Sequence, residues 1–131
     1  MASKLTISSE LENIKLIDSF LKRLEANYCI LPKKFIDIKL SILEAVNNAI
    51  IHGNKFDSDK TVSITEAMDH EILEIRINDQ GSGFNFNEVK DPTLKENILS
   101  PGGRGIHLMR NLTDSFKFTN DGKCVILRFK I

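Results

Sequence analysis

"EILEIRINDQGSGF", residues 71–84, starts as a strand and ends as a corner. Over 71–78 polar and apolar residues alternate, the period-two pattern of a half-buried strand, and Asp79, Gly81 and Gly83 follow where that pattern stops. Gly81 and Gly83 free the backbone for positive φ and for close approach to a flat ligand, while the Asp79 carboxylate can accept from an exocyclic amine. Asp and Gly are also ordinary turn residues, so the corner alone does not separate a ligand site from a bend.

Working outward, "TVSITEAM" at 61–68 alternates in the same way and is separated from 71–78 by Asp69 and His70, which predicts an antiparallel hairpin. "SFKFT" at 115–119 and "KCVILRFKI" at 123–131 flank Asn120, Asp121 and Gly122, a second hairpin. Between the hairpins runs a polar connection, 81–104, with Pro92, Pro101 and four glycines, followed by a short helix whose clearest part is "IHLMRNL" at 106–112. A connection of that length in a compact domain is usually functional or disordered.

Upstream, "KLTIS" at 4–8 predicts a strand, and Ser9 with Glu12 predicts a capping box ahead of an amphipathic helix carrying Leu11, Ile14, Ile17, Leu21 and Leu24. Pro32 suits the first turn of a second helix, whose apolar set Ile36, Leu40, Leu43 and Ile50 keeps helical spacing to a stop at Gly53, so that helix is placed at about 32–52. Helices first, then hairpins around one more helix, give an α+β two-layer sandwich with a mostly antiparallel sheet and helices on one face.

The 131 residues suit one domain, 1–131, large enough for a core without staples. Lys and Arg total 18, as do Asp and Glu, so no excess charge favours nucleic acid or an anionic membrane as partner. Charges in "MASKLTISSELENIK" interrupt the apolar stretch a signal peptide needs, and a cytoplasmic protein is expected. Cys29 and Cys124 stand apart among apolar neighbours and are expected to be buried thiols. His52, His70 and His107 lack any metal-ligand spacing.

The second helix holds "LEAVNNAIIHGN" at 43–54. Glu44 and Asn48, four apart, project from one side, and Asn47 falls near the centre of the stripe made by Ile36, Leu40, Leu43 and Ile51. Each such polar group costs roughly 1–3 kcal/mol if buried without a partner. Two readings stay open at this point: Glu44 capping a nearby amide with the asparagines bonded to loop backbone, or Glu44 polarising a hydroxyl or water beside an Asn48 oxygen that holds a hard cation such as magnesium. In "PGGRGIHLM", 101–109, glycines meet a helix N-terminus, where free amides and the dipole make a generic anion site, and Arg104 adds a forked cationic donor. Neither the P-loop pattern nor a GxGxxG opening a helix after the first strand is present.

Taken in order, "EAVNNAIIHGN" (44–54), "DQGSGF" (79–84) and "GGRGIHLM" (102–109) resemble the N, G1 and G2 boxes of the GHKL ATPase/kinase superfamily, with its Bergerat fold of helices over a mixed, largely antiparallel sheet. The resemblance spans roughly 32–131 and is closest to bacterial anti-sigma factor serine kinases. It implies ATP and Mg2+ as cofactors, with Glu44 as the catalytic, hydroxyl-polarising base and Asn48 as the magnesium ligand. Asp79 would accept from the adenine amino group, and Gly81 and Gly83 would shape that pocket. Gly103 and Gly105 would let the helix start meet the phosphates, Arg104 assisting, with Ile106 and His107 in the same box. Residues 84–103, above all 88–100, would form an ATP lid, ordered chiefly when nucleotide is present.

The implied activity is an ATP-dependent protein serine kinase that phosphorylates a serine of an anti-anti-sigma (STAS-domain) partner and sequesters a sigma factor. The alternatives are a non-catalytic nucleotide-dependent partner-switch module and a structural interaction domain without nucleotide. Family members are often homodimers. No upstream dimerising hairpin with a phosphoaccepting histidine accompanies the boxes, which disfavours a sensor histidine kinase. One departure stands out: Lys123 and Cys124 occupy the start of the last strand, where the family often has a threonine or serine near the adenine.

Overall fold

The computed structural model describes residues 3–81 and 103–131. In chain order these form β1 (Ser3–Ser8), a 3-10 helix (Leu11–Leu16) running into α1 (Ile17–Asn27), α2 (Pro32–Asn48) with a π-helical turn (Ala49–Gly53), β2 (Thr61–Asp69), β3 (Ile72–Asn78), α3 (Gly103–Leu112), β4 (Ser115–Thr119) and β5 (Cys124–Lys130). The strands make one five-stranded sheet in the order β1-β2-β3-β5-β4. All four pairings are antiparallel, so the expected sandwich is present with a sheet that is antiparallel at every described pairing.

Alternation decides which face is covered. Val62 and Ile64 of β2, Leu73, Ile75 and Ile77 of β3, and Val125, Leu127 and Phe129 of β5 are buried on one side of the pleat. Against them pack Ile17, Phe20, Leu21 and Leu24 of α1, Ile38, Ile42, Ala45 and Val46 of α2, and Ala49 and Ile50 of the π-helical turn. Each large side chain so buried stabilises by roughly 1.5–3 kcal/mol before the entropy of ordering it is counted. The opposite face carries Glu74, whose carboxylate pairs with Arg76 at 2.8 Å and more loosely with Arg128 at 3.8 Å.

Several expectations are corrected. Ser9 caps no helix: it is fully buried, and the 3-10 helix begins after Glu10 without a side-chain cap. The core side of α2 is not the one through Ile36 and Leu40, which are 55% and 44% exposed, but the one through Ile38, Ile42 and Val46. Asn47 therefore lies on the outer side, half-buried. Cys29 is exposed, whereas Cys124 is buried as expected. The first hairpin turns one residue later, because Asp69 pairs with Ile72 and His70 takes the left-handed conformation at φ 57°.

Two polar contacts fasten helices to the sheet. Lys34 of α2 meets Asp114, just beyond α3, at 2.6 Å, and Asp114 also accepts from the Lys130 amide at 2.7 Å, so both donors hold its carboxyl below the usual Asp range. Tyr28, after α1, donates to Glu66 of β2 at 2.7 Å.

Candidate functional site

The site begins where α2 stops winding regularly. Pro32, whose ring fixes φ, sits in its first turn behind an extended Leu31, and the helix runs to Asn48 before widening. Over the wide turn the Asn54 amide reaches back to the Ala49 carbonyl at 2.8 Å and the Phe56 amide to the Ile50 carbonyl at 2.9 Å. Single π turns of this kind gather at functional positions. This one delivers Gly53 against the carboxyl of Asp79, with room for no side chain: a Cβ there would lie 2.5 Å from Asp79 Cγ. Gly81 is equally confined, since its Cβ would lie 1.9 Å from the Gly53 carbonyl oxygen. The glycine-bearing corner is thus packed against a helix end.

Asp79 is held by backbone on both sides. Its own amide donates to the Lys123 carbonyl at 2.9 Å, and its Oδ1 accepts from the Gly81 amide at 2.8 Å. No described residue donates to Oδ2. Burial pushes the carboxyl above the ordinary Asp value, opposed by the Gly81 hydrogen bond and by the charges of Lys123 and Lys60. Lys123, the family departure, thereby enters the site through its carbonyl and its charge.

Glu44 and Asn48 are half-buried on one side of α2, and neither side chain has a hydrogen-bond partner among the described residues. Their oxygens suit a hard cation and a hydroxyl, which take oxygen donors. Next to α2 packs α3, whose first residue is Gly103, so the glycine-rich helix start and the Glu44 helix are neighbours. His107 is half-buried, and the Asn111 side chain donates to its carbonyl at 2.9 Å and lies 3.3 Å from its Nε2. The structure therefore joins Asp79 and Gly81 directly to the end of α2 and sets Gly105 on a helix beside it. Gly83 and residues 84–102 of the expected lid lie outside the described residues, as do the side chains of Arg104 and Ile106.

Reading the sequence missed the contribution of Gly53, taken only as a helix stop, and all of Asn54. Asn54 is 1% exposed and bonds to three other segments, through Ser9, Thr61 and Gln80. The available signal was a polar residue following a glycine helix stop, which local chemistry reads as a turn.

A helix layer over an antiparallel sheet, with an acidic strand end locked to one helix and a glycine-led helix beside it, is the architecture of a histidine kinase-like ATPase domain. Residues 7–129 match that family, and the chain belongs to it. Membership implies use of a nucleotide. Among the relatives are the serine-protein kinase RsbW of Bacillus subtilis, 32% identical over 64% of this chain, and an anti-sigma F factor of Clostridium perfringens, 32% identical over 76%. The match spans 56% of the first relative's length and 74% of the second's. In fold, the chain superposes over 99% of its length on 32% of a Mycobacterium tuberculosis protein containing RsbU and RsbW domains, with a TM-score of 0.70 and 14% identity. No described helix is long and apolar enough to cross a membrane.

Proposed function

We propose that residues 1–131 form a single ATP-binding domain of an anti-sigma factor with protein serine kinase activity, in which MgATP lies between α2, the Asp79 corner and the start of α3. The observation that carries this reading is the lock between Gly53, Asp79 and Gly81, which leaves one carboxylate oxygen without a described partner. That oxygen accepts from the adenine amino group. The oxygen of Asn48 holds magnesium, and the amides opening α3 at Gly103 and Gly105, with Arg104, meet the phosphates.

Glu44, one turn from Asn48 on the same side, orients the incoming serine hydroxyl and takes its proton. Bound magnesium would neutralise phosphate charge, and the protein's share of the catalysis is positioning and electrostatics. Residues 84–103 act as the lid. The names of the relatives, a serine-protein kinase and an anti-sigma F factor, support a serine as the acceptor and a sigma factor as the sequestered protein. In this reading the serine belongs to an anti-anti-sigma STAS protein, and the chain works as a cytoplasmic, homodimeric partner switch.

Incubation with radiolabelled ATP and the STAS partner tests the reading. Label should appear on a partner serine, and Glu44→Ala should retain ATP binding while transfer falls by at least about 100-fold. A chain that binds ATP and transfers nothing would instead be a nucleotide-dependent binding module. One that binds no ATP would be a structural domain.

A further inference from the structure

Asn54 is a buried polar residue to which the proposed function gives no part. Its side-chain amide makes three hydrogen bonds: Nδ2 donates to Ser9 Oγ at 2.5 Å and to the Thr61 carbonyl at 2.9 Å, and Oδ1 accepts from the Gln80 amide at 2.7 Å. A backbone amide can only donate and a carbonyl only accept, so the orientation of the Asn54 side chain is fixed by its partners. Gln80 Oε1 accepts from the Thr61 amide at 2.7 Å, which closes a ring of three hydrogen bonds through 54, 61 and 80.

Gln80 is the residue between Asp79 and Gly81. Three successive amides are therefore committed to three different places: that of Asp79 to Lys123, that of Gln80 to Asn54 and that of Gly81 back to the Asp79 carboxylate. The first belongs to the sheet and the last is internal to the turn. Only the middle one ties the corner to the segment leaving α2.

We infer that Asn54 is a positioning residue for base selection, holding the Gln80 amide so that the Asp79 carboxylate presents its second oxygen in a fixed direction to the six-position of a purine. This rests on the nucleotide site proposed above. Hydrogen bonds weaken steeply off axis, so a corner free to rotate about Gln80 would still bind a nucleoside diphosphate through its phosphates. It would lose its preference for an amino group over a carbonyl at that position. An asparagine meets the demand where other residues do not: aspartate cannot donate to Thr61, and serine is too short to span three segments.

The experiment compares ADP with inosine diphosphate, which carries a carbonyl at the six-position, by titration calorimetry on the full chain in the presence of magnesium. Asn54→Ala should lower the preference for ADP by about tenfold while inosine diphosphate affinity changes little. Asn54→Asp, which keeps the acceptor for Gln80 but sets a second acceptor against the Thr61 carbonyl, should restore only part of it. In an Asp79→Asn background, where inosine diphosphate should be preferred, Asn54→Ala should bring the ratio back toward parity and not lower it further, the non-additivity expected of one unit. Should Asn54→Ala not fold, Gln80→Ala, at an exposed position, opens the ring at its Thr61 link and should lower the ratio by about threefold. Folded variants with an unchanged ratio overturn the role of Asn54 alone. Failure of the unaltered chain to bind ADP overturns the nucleotide site and this role together.

Discussion

Gly53 and Asp79 touch across a gap that only a hydrogen atom fills: a Cβ on the glycine would lie 2.5 Å from the carboxyl carbon and 2.5 Å from Oδ2. Gly53→Ala must push a side chain aside, whereas Gly81→Ala must push the Gly53 carbonyl, which is backbone. Overpacking of this kind costs about 1–3 kcal/mol. Gly53→Ala is expected at the low end, with ADP affinity reduced if the displaced group is the proposed adenine acceptor, and Gly81→Ala at or above the high end. Urea denaturation gives the two costs, and equal costs would mean that the carboxyl is as immovable as the main chain.

Asp79 pairs a stability cost with its proposed recognition role. Its pKa is raised chiefly by burial, so the folded state holds its proton more tightly than the unfolded one. The sign follows: this group's contribution to stability is present below the unfolded Asp value and is lost as pH rises through the folded one. Asp79→Asn should remove that loss and leave the nucleotide-free chain at least as stable at neutral pH. With Gly81 still donating to the side-chain oxygen, the new amide would aim its NH2 at the base, donor against donor for adenine. ADP affinity should fall about 10- to 100-fold, and inosine diphosphate should become the better ligand. Thermal melts across acid pH and paired titrations check both halves.

Tyr28 and Glu66 make a third test, remote from the nucleotide. Glu66 is 2% exposed and takes the phenol hydrogen at 2.7 Å, and the phenol is pushed up to about 12, first by burial and then by this carboxylate. Tyr28→Phe should cost about 1–2 kcal/mol at neutral pH. The folded pKa lies above the ordinary phenol value, so the tyrosine's contribution is present below that value and disappears as pH rises through about 12. The difference between the two chains should therefore shrink in alkali. Urea midpoints at neutral and alkaline pH measure it, and a constant difference would assign the loss to packing.

Much of this was legible locally. Alternation located β2 and β3, and Asn120, Asp121 and Gly122, which all take positive φ, marked the hairpin of β4 and β5. The side of α2 that faces the core was not legible, because both sides are apolar: Ile36, Leu40 and Leu43 compete with Ile38, Ile42 and Val46, and only the sheet decides between them. Ser9 was misread for a related reason. A serine three residues before a glutamate looks like a cap, but its hydroxyl belongs to Asn54, 45 residues away. Cys29 lies past the end of α1, where helical periodicity has stopped and cannot say which way a side chain points. Of the site, residue types and their order were readable, while the contact of Gly53 and Asn54 with the 79–81 corner is tertiary.

The wide turn at Ala49–Gly53 also sets what length change the chain can absorb. Removing one residue there would restore regular winding and swing everything after it by about 100° around the helix axis. Gly53 would leave the carboxylate and Asn54 would leave the interior, with every retained amino acid still the same. An insertion or deletion at this bend is therefore more disruptive than most replacements within it, while the turn at His70, on the surface and with a ring that bonds only Asp69 among the described residues, should accept added residues more readily.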